Sequence, residues 1–283
     1  MQESALAALC FGAGALLLLG GARRRARRQE APPASVDRPP SIRVPRASSR
    51  PTLQGVDTQW DLCTPIRIAC YHQASGAHRP AVSVQALYDD ENIYVRFVVW
   101  DDVSVVGRFL APNSPVYTDS CVELFLQLAP ALYVNVEMNC LGAVLLGRHV
   151  MPREGTEVDP ALFDDEIERW SSAREDIGRV RRDEGPPFTW HANVRIPFAL
   201  LARLAAPHPD DPTPPAGAYP IASAAGICSE RPFAPPVRRG DTLRGGFFKC
   251  ADDSSQPHWG AWADLGPELN FHQPHRFGML VFD

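Results

Sequence analysis

Polar side chains that donate and accept hydrogen bonds alternate with apolar ones in two neighbouring segments of the chain. The segments are YTDSCVELFLQL, residues 117–128, and YVNVEMNCLG, residues 133–142. Side chains at every second position of a β-strand lie on one face of a sheet. If the valines, leucines and methionine of both segments pack into one core, the polar set lies on the opposite face. That set is Glu123, Gln127, Asn135, Glu137 and Asn139.

Such a face could bind hydroxyl groups, because amides and carboxylates together offer hydrogen-bond donors and acceptors. Tyr117 and Tyr133 begin the two segments and flank the polar set. Aromatic rings provide an apolar platform for the C–H face of a pyranose. A plain solvated outer face has the same composition, and the alternation by itself favours that simpler interpretation over a sugar site.

Glu123 and Glu137 suggest a second chemistry if they lie side by side on adjacent strands. A retaining glycosidase uses two carboxyl groups about 5 Å apart. Such an enzyme normally has a deep cleft, which one short sandwich has difficulty building. The sequence also contains no G-x-S-x-G or H-E-x-x-H motif. We therefore assign no catalytic residue and favour binding over hydrolysis.

Metal and haem chemistry have less support in the sequence. Seven cysteines are present without a C-x-x-C pair, so a structural zinc site is not expected. Cys63 and Cys70 either close a small hairpin in an oxidising compartment or remain buried thiols. His272 and His275 lie in a proline-containing loop, where surface histidines are expected rather than metal ligands. The alternation places Met138 in the core, where it is expected to pack rather than bind haem.

The surrounding sequence predicts the strands that position the polar face. Period-two alternation runs through residues 82–100 across an acidic four-residue turn, which indicates a hairpin. Residues 188–204 predict a strand through Ile196, after which Pro197 opens a short helix through Leu204. Many short strands with one or two short helices predict an all-β fold, an antiparallel, jelly-roll-like β-sandwich.

Composition divides the chain into three parts. Residues 1–22 include an apolar run at 5–21, whose 17 residues are at the short limit for a membrane span. Three interpretations of this run are open: an anchor, an atypical signal and a start-codon artefact. Residues 23–51 are basic and rich in Pro and Ser, which is typical of a flexible linker. The folded domain is predicted at 52–283, membrane-anchored if the run is a real anchor and otherwise cytoplasmic or secreted.

Charge and hydrophobicity exclude one class of partner. Hydrophobic residues make up 45% of the chain and charged residues 22%, which is typical of a globular protein. The formal net charge is −5, and arginines concentrate near the N-terminus, so the predicted domain is distinctly acidic. The absence of a basic patch interleaved with aromatics argues against nucleic acid. An acidic, polar surface suits a neutral ligand such as a sugar, or a cation.

The same segments and the C-terminal end resemble carbohydrate-binding module family 9 and its DOMON-like relatives. In that family a strand of the form D-S-x-V-E-x-F precedes Y-x-N-x-E-x-N-x-x-G, and the chain closes with F-x-K-C-x-D, S-Q-P-H, F-H-x-P and F-G-x-L-x-F. The matching residues here begin with Asp119, Ser120, Val122, Glu123, Phe125, Tyr133, Asn135, Glu137, Asn139 and Gly142, and end with Phe248, Lys249, Cys250, Asp252, Phe271, His272, Phe277 and Phe282. The resemblance covers about residues 80–283.

The resemblance implies a β-sandwich that binds sugar chain ends between aromatic rings, without catalysis, in the service of polysaccharide or oligosaccharide breakdown by a glycoside hydrolase. It implies that Glu123 accepts a hydrogen bond from a sugar hydroxyl, with polar contacts from Asn139 and Arg148. Tyr117 falls where relatives place a stacking tryptophan, and Trp259 is the candidate for the second ring. The complete predicted ligand-binding set is Tyr117, Glu123, Asn135, Glu137, Asn139, Arg148 and Trp259.

The resemblance leaves cofactor and function partly open. The expected partner is an oligo- or polysaccharide, and no cofactor is required. Calcium, which family members bind, has candidate ligands in Asp89–Asp90 and Asp252–Asp253, although no loop of EF-hand form is present. Two competing functions remain: a glycosidase that uses the two glutamates, and a structural or interaction domain that has kept the fold and lost the sugar.

Overall fold

Two β-sheets face each other across an apolar core in the computed structural model of the chain, which describes residues 39–151, 154–176, 187–209, 211 and 232–283. Within these ranges the strands are β1 (Ser41–Val44), β2 (Ile66–Ile68), β3 (Cys70–Tyr71), β4 (Ala81–Tyr88), β5 (Asn92–Asp102), β6 (Cys121–Ala129), β7 (Leu132–Asn139), β8 (Val144–Met151), β9 (Glu154–Glu157), β10 (Glu168–Ser171), β11 (Phe188–Pro197), β12 (Thr242–Cys250), β13 (Trp259–Ala261) and β14 (Gly278–Phe282). The helix α1 spans Phe198–Ala205, and short 3-10 helices span Thr58–Leu62, Val116–Thr118, Pro160–Leu162, Ser172–Asp176 and Pro274–Arg276.

The larger sheet has nine strands, and its main path runs β1-β14-β12-β6-β7-β8-β9, with β13 beside β12 and β3 beside β13. The smaller sheet has five strands in the order β10-β11-β5-β4-β2. Within both sheets neighbouring strands are antiparallel, except that β1 runs parallel to β14. The predicted antiparallel β-sandwich with a short helix is therefore confirmed.

The core lies between the inward faces of the two sheets. Leu124 and Phe247 come from the nine-stranded sheet and Phe97 from the five-stranded sheet, and the rings of Phe97 and Phe247 meet edge to face at 6.1 Å. Burying one such side chain stabilises the fold by about 1.5–3 kcal/mol. Met138 belongs to the same core, which confirms that it packs there.

The change from strand to helix occurs one residue later than predicted, because Pro197 ends the strand instead of opening the helix. β11 ends at Pro197, and α1 begins at the next residue. Proline lacks an N–H group and fixes its own φ, so it is well tolerated where a helix starts. Leu200, Leu201 and Leu204 are buried and attach the helix to the core.

The folded part begins before the predicted boundary at residue 52. β1 lies inside the segment interpreted as a linker, residues 23–51, and places Ile42 opposite Leu280 and Val44 opposite Phe282. Both β1 side chains are buried in the core. This alternation spans only four residues among prolines and arginines, so the composition of the segment concealed it.

The N-terminal part of the sequence interpretation lies outside the described residues. This applies to the apolar segment 1–22, to its three interpretations and to the first part of the predicted linker. Among the residues that the structure describes, no helix is long and apolar enough to cross a membrane.

Candidate functional site

Strands β12, β6 and β7 place the predicted polar set on the outer face of the nine-stranded sheet. The register pairs Glu123 with Glu137. Two residues earlier on β6, Cys121 lies between Cys250 on one side and Asn139 on the other. The side chains form two adjacent rows across the sheet, and the two glutamates lie side by side, which is the condition that the glycosidase interpretation requires.

This outer face is not open to solvent. Glu123 is 3% exposed, Asn135 2% and Glu137 5%. An apolar cluster, partly from the C-terminal segment that follows β13, covers the neighbouring part of the face. The cluster comprises Phe125, Tyr133, Phe248, Ala261, Leu265 and Phe277. The expectation of a solvated face flanked by Tyr133 is therefore wrong, because the C-terminal segment folds back over the sheet and buries that ring.

Each of the two carboxyl groups is held by one neighbour. The Cys250 thiol donates to Glu123 Oε1 at 3.0 Å, and Asn135 Nδ2 donates to Glu137 Oε1 at 2.6 Å. Glu137 Oε2 is buried and has no hydrogen-bond partner among the described residues. Burial raises the pKa of both carboxyl groups, that of Glu137 to about 7. A donor or cation that reached these oxygens would favour the charged forms.

His149 on β8 extends this network and was not predicted. Its Nε2 donates to Asn135 Oδ1 at 2.8 Å, because the amide nitrogen of Asn135 already donates to Glu137. Burial lowers the pKa of His149 to about 4, so the ring is neutral near pH 7. Gly155 on β9 makes room for the ring, since a Cβ at that position would overlap it. The outer face thus carries a continuous Glu137–Asn135–His149 network.

Arg148 lies on the opposite face of β8 and is not part of this network. Its guanidinium group donates to Leu204 O at 2.8 Å and to the carboxylate of Asp211. The structure therefore removes Arg148 from the candidate site. β8 is apolar on both faces, so its sequence does not show which face Arg148 joins, whereas β6 and β7 have one polar face each.

Replacing Arg148 with alanine is expected to lower the free energy of unfolding by about 1–3 kcal/mol. The reason is that Asp211 and the Leu204 carbonyl would lose a donor that is itself largely buried. Urea denaturation measures the change. Arg203→Ala is the control, because its ion pair with Glu166 is exposed and should contribute less than about 1 kcal/mol. Equal losses in both variants would contradict this assignment.

Asn139 is fully buried, and the protein itself uses all of its side-chain hydrogen-bonding capacity. Nδ2 donates to Phe109 O and to Asp119 Oδ2, both at 2.9 Å. Oδ1 accepts from Leu141 N at 3.1 Å and from Ala143 N at 2.9 Å. Asn139 closes the turn between β7 and β8, so it positions the strands and has no group left for a ligand.

Three half-buried aromatic rings border the rows of polar side chains. Phe109, Trp259 and Phe271, which we call the aromatic rim, pack against one apolar cluster on the outer face. That cluster comprises Val116, Cys121, Ala143, Leu145 and Cys250. β13 places Trp259 opposite Cys250, and Trp259 Nε1 donates to Asp252 Oδ1 at 2.7 Å. The sequence indicates Trp259 but not Phe109 or Phe271, because both lie in loops, where no alternation marks a face.

Tyr117 lies at the same end of the outer face as the aromatic rim. Its backbone oxygen accepts from Asp252 N at 3.3 Å and lies 3.4 Å from the Cys250 sulfur. Its side chain is 42% exposed. Tyr117, Trp259 and Glu123 are thus brought to one end of the sheet through their shared neighbours, Cys250 and Asp252.

The aspartates considered for calcium have partners within the protein. Asp89 accepts from the Tyr94 hydroxyl at 2.5 Å and from backbone amides of its own turn. Asp253 pairs with Arg108 at 3.2 Å. In the described part of the chain, the side chains with metal-ligand spacing are instead Cys121, Glu123 and Cys250, whose ligand atoms lie within 4.8 Å of one another.

The free energy of unfolding should fall as pH rises from about 4.5 to about 7, because of Glu137. Burial raises the pKa of Glu137 from 4.5 to about 7, so in that interval the folded chain binds more protons than the unfolded chain. The contribution is complete below pH 4.5, is lost by about pH 7 and amounts to about 3 kcal/mol. Urea denaturation at pH 5 and pH 8 measures it.

Glu137→Gln isolates this effect, because glutamine does not titrate. His149 acts in the opposite direction, since its lowered pKa destabilises the fold as pH falls below 6.5. That contribution is present in both proteins and cancels in the comparison. The wild type should gain more stability between pH 8 and pH 5 than the variant does. Identical pH profiles would show that Glu137 is not buried as described.

Comparisons with known proteins agree with this fold. The family model for carbohydrate-binding family 9 matches residues 58–204 and 236–282. A putative carbohydrate-binding protein from Bacteroides uniformis ATCC 8492 has a TM-score of 0.65 at 20% identity, with 87% of this chain and 100% of that chain covered. A search of curated protein sequences gives no match.

Two further similar structures are complexes of a family 9 carbohydrate-binding module from Caldicellulosiruptor kristjanssonii. The complex with glucose has a TM-score of 0.51 at 15% identity, with 85% of this chain and 95% of that chain covered. The complex with cellotriose has a TM-score of 0.52 at 15% identity, with 86% and 94% covered. At these identities the structural similarity shows the fold alone. Family membership is shown by the family model, because it matches most of the sequence. The chain belongs to carbohydrate-binding family 9.

Proposed function

We propose that the protein binds a neutral oligosaccharide at the end of the outer face bordered by the aromatic rim, and that it does not catalyse a reaction. The observation that carries the proposal is the position of Trp259. It lies half-buried opposite Cys250, whose thiol contacts Glu123, in a chain of family 9. The two family structures that hold glucose and cellotriose support a gluco-oligosaccharide as the ligand class.

The rings and the carboxyl groups contribute differently to such a site. The rim rings and Tyr117 are the accessible part, and they offer apolar area to the C–H face of a pyranose. Glu137 Oε2 is a buried acceptor without a described partner, and a sugar hydroxyl is a suitable donor. The rings therefore account for most of the contact area, and the carboxyl groups determine the orientation of the sugar.

A binding domain of this kind serves the breakdown of polysaccharides or oligosaccharides by keeping a catalytic partner near its substrate. Tethering of this type raises the effective concentration of the second binding partner without adding contacts. The burial of the polar rows favours a second candidate, a structural or interaction domain that retains the fold without binding sugar.

Calorimetric titration of the full chain with glucose and with cello-, xylo-, manno- and galacto-oligosaccharides tests the proposal. We expect saturable, enthalpy-driven binding of the gluco-oligosaccharides at one site per chain. Analysis of the recovered sugars should show no hydrolysis products. Failure to bind any sugar of the panel would overturn the proposal and favour the structural role, and released glucose would instead support a glycosidase that uses Glu123 and Glu137.

A further inference from the structure

Two thiols and a carboxyl group converge on the outer face of the nine-stranded sheet. Cys121 on β6 lies opposite Cys250 on β12, and Glu123 lies two residues further along β6 on the same face. One ligand atom from each lies within 4.8 Å of the other two, and Cys250 Sγ is 3.0 Å from Glu123 Oε1. All three residues are buried. Paired strands hold these groups, so their spacing is set by the sheet rather than by a loop.

We propose that Cys121, Cys250 and Glu123 bind a zinc-class divalent cation. Such ions prefer thiolate ligands at about 2.3 Å and carboxylate oxygens at about 2.0–2.2 Å in a tetrahedron. Neighbouring ligand atoms are then about 3.6–3.8 Å apart. The Cys250 Sγ to Glu123 Oε1 distance of 3.0 Å is shorter than that value, and the other two pairs lie within 4.8 Å, so side-chain rotations bring the three atoms into place. The cation site shares Glu123 and Glu137 with the proposed sugar site, and it is tested below in the absence of sugar.

We assign the fourth position to Glu137, whose side chain must rotate to reach it, because in the described part of the chain only Cys121, Glu123 and Cys250 have ligand atoms within 4.8 Å of one another. Glu137 lies directly opposite Glu123 on β7, and its Oε2 is buried without a partner among the described residues. A buried carboxylate oxygen without a donor is costly, and coordination of a cation relieves that cost. The complete set of two thiolates and two carboxylates is typical of the borderline-soft ions rather than of calcium or magnesium.

A disulfide between Cys121 and Cys250 is the main alternative use of the same thiols. Opposite residues on paired antiparallel strands have Cα atoms about 4.5–5.5 Å apart, within the range that a disulfide requires. A disulfide would remove the thiol donor from Glu123 and would leave Glu137 Oε2 without a partner among the described residues. A cation satisfies both carboxyl groups, and the structure favours it for that reason.

Binding replaces the two thiol protons, so one M²⁺ and two S–H groups give one M(S)₂ unit and two H⁺, and a proton held by either carboxyl group is released as well. Burial raises the pKa of both thiols, that of Cys121 to about 12, which opposes deprotonation until a cation is present.

Titration of the reduced full chain with Co²⁺, followed by Zn²⁺ as competitor, tests the site. Co²⁺ bound to thiolates gives a sulfur-to-cobalt charge-transfer absorption band. We expect that band to saturate at one Co²⁺ per chain and to disappear when Zn²⁺ is added. It should be lost in the variant carrying both Cys121→Ser and Cys250→Ser, and it should persist in Cys70→Ser, the control for a half-buried thiol on β3.

A second pair of variants keeps the test decisive if the double cysteine variant does not fold. Glu123→Gln and Glu137→Gln preserve side-chain size, and each should weaken Co²⁺ binding at least tenfold while retaining the charge-transfer band. No band in the wild type would overturn the proposal. A full band in a folded Cys121→Ser/Cys250→Ser variant would also overturn it, because the ion would then be bound by another thiol. Wild-type Co²⁺ affinity in Glu123→Gln and Glu137→Gln would overturn it as well.

Discussion

Replacing Trp259 with alanine is expected to weaken the binding of gluco-oligosaccharides at least tenfold, about 1.4 kcal/mol. The ring belongs to the aromatic rim and is held beside Cys250 by β13, so its removal takes away apolar area that a pyranose would contact. Calorimetric titration measures the change. Trp259→Phe should retain part of the affinity, because it keeps a ring but loses the N–H group that donates to Asp252.

Trp100 provides the matched control for that prediction. It is also half-buried, but it lies on β5 of the five-stranded sheet, with the Arg67 guanidinium 5.2 Å from its ring centre. Trp100→Ala should leave sugar affinity unchanged. Equal losses in the two alanine variants, or no loss in Trp259→Ala, would show that the aromatic rim is not the binding surface.

Replacing Trp190 with alanine is expected to lower the free energy of unfolding by about 3–5 kcal/mol. Trp190 is fully buried between the two sheets on β11, where it pairs with Val99, and the Lys249 ammonium group lies 5.9 Å from its ring centre. Its removal leaves a large cavity that the rigid sheets cannot close. Urea denaturation measures the loss.

Trp190→Phe separates the ring from its N–H group. The Trp190 Nε1 is buried without a partner among the described residues, so phenylalanine keeps an aromatic ring and removes an unpaired donor. We expect this variant to lose much less stability than Trp190→Ala. Similar losses in both would contradict the account, since they would mean that the indole N–H group and not the ring area stabilises the core.

Alternation predicted the strands well wherever one face was apolar and the other polar. β6 and β7 satisfy that condition, and the pairing of Glu123 with Glu137 follows from it. β8 has apolar residues on both faces, so the sequence could not show that His149 joins the polar face and Arg148 the core side. Alternation therefore fixes a register only when the two faces of a strand differ in polarity.

The burial of the polar set could not be read from the strands themselves. The apolar cluster that covers the neighbouring part of the outer face includes Leu265 and Phe277, which lie after β13 in a segment without helical or strand periodicity. The role of Asn139 has a similar origin, because its partners Phe109 and Asp119 come from the loop that precedes β6. Contacts between distant, irregular segments carry no local pattern in the sequence.

A crystal structure of the protein with cellotriose tests the central claim most directly. The account predicts a pyranose ring against Trp259 or Tyr117, with hydroxyl groups directed towards Glu123 and Glu137. Cellotriose bound elsewhere, for example beside Trp100 on the five-stranded sheet, would contradict the assignment of the site. Crystals grown at saturating cellotriose that contain no bound sugar would contradict the carbohydrate-binding function itself.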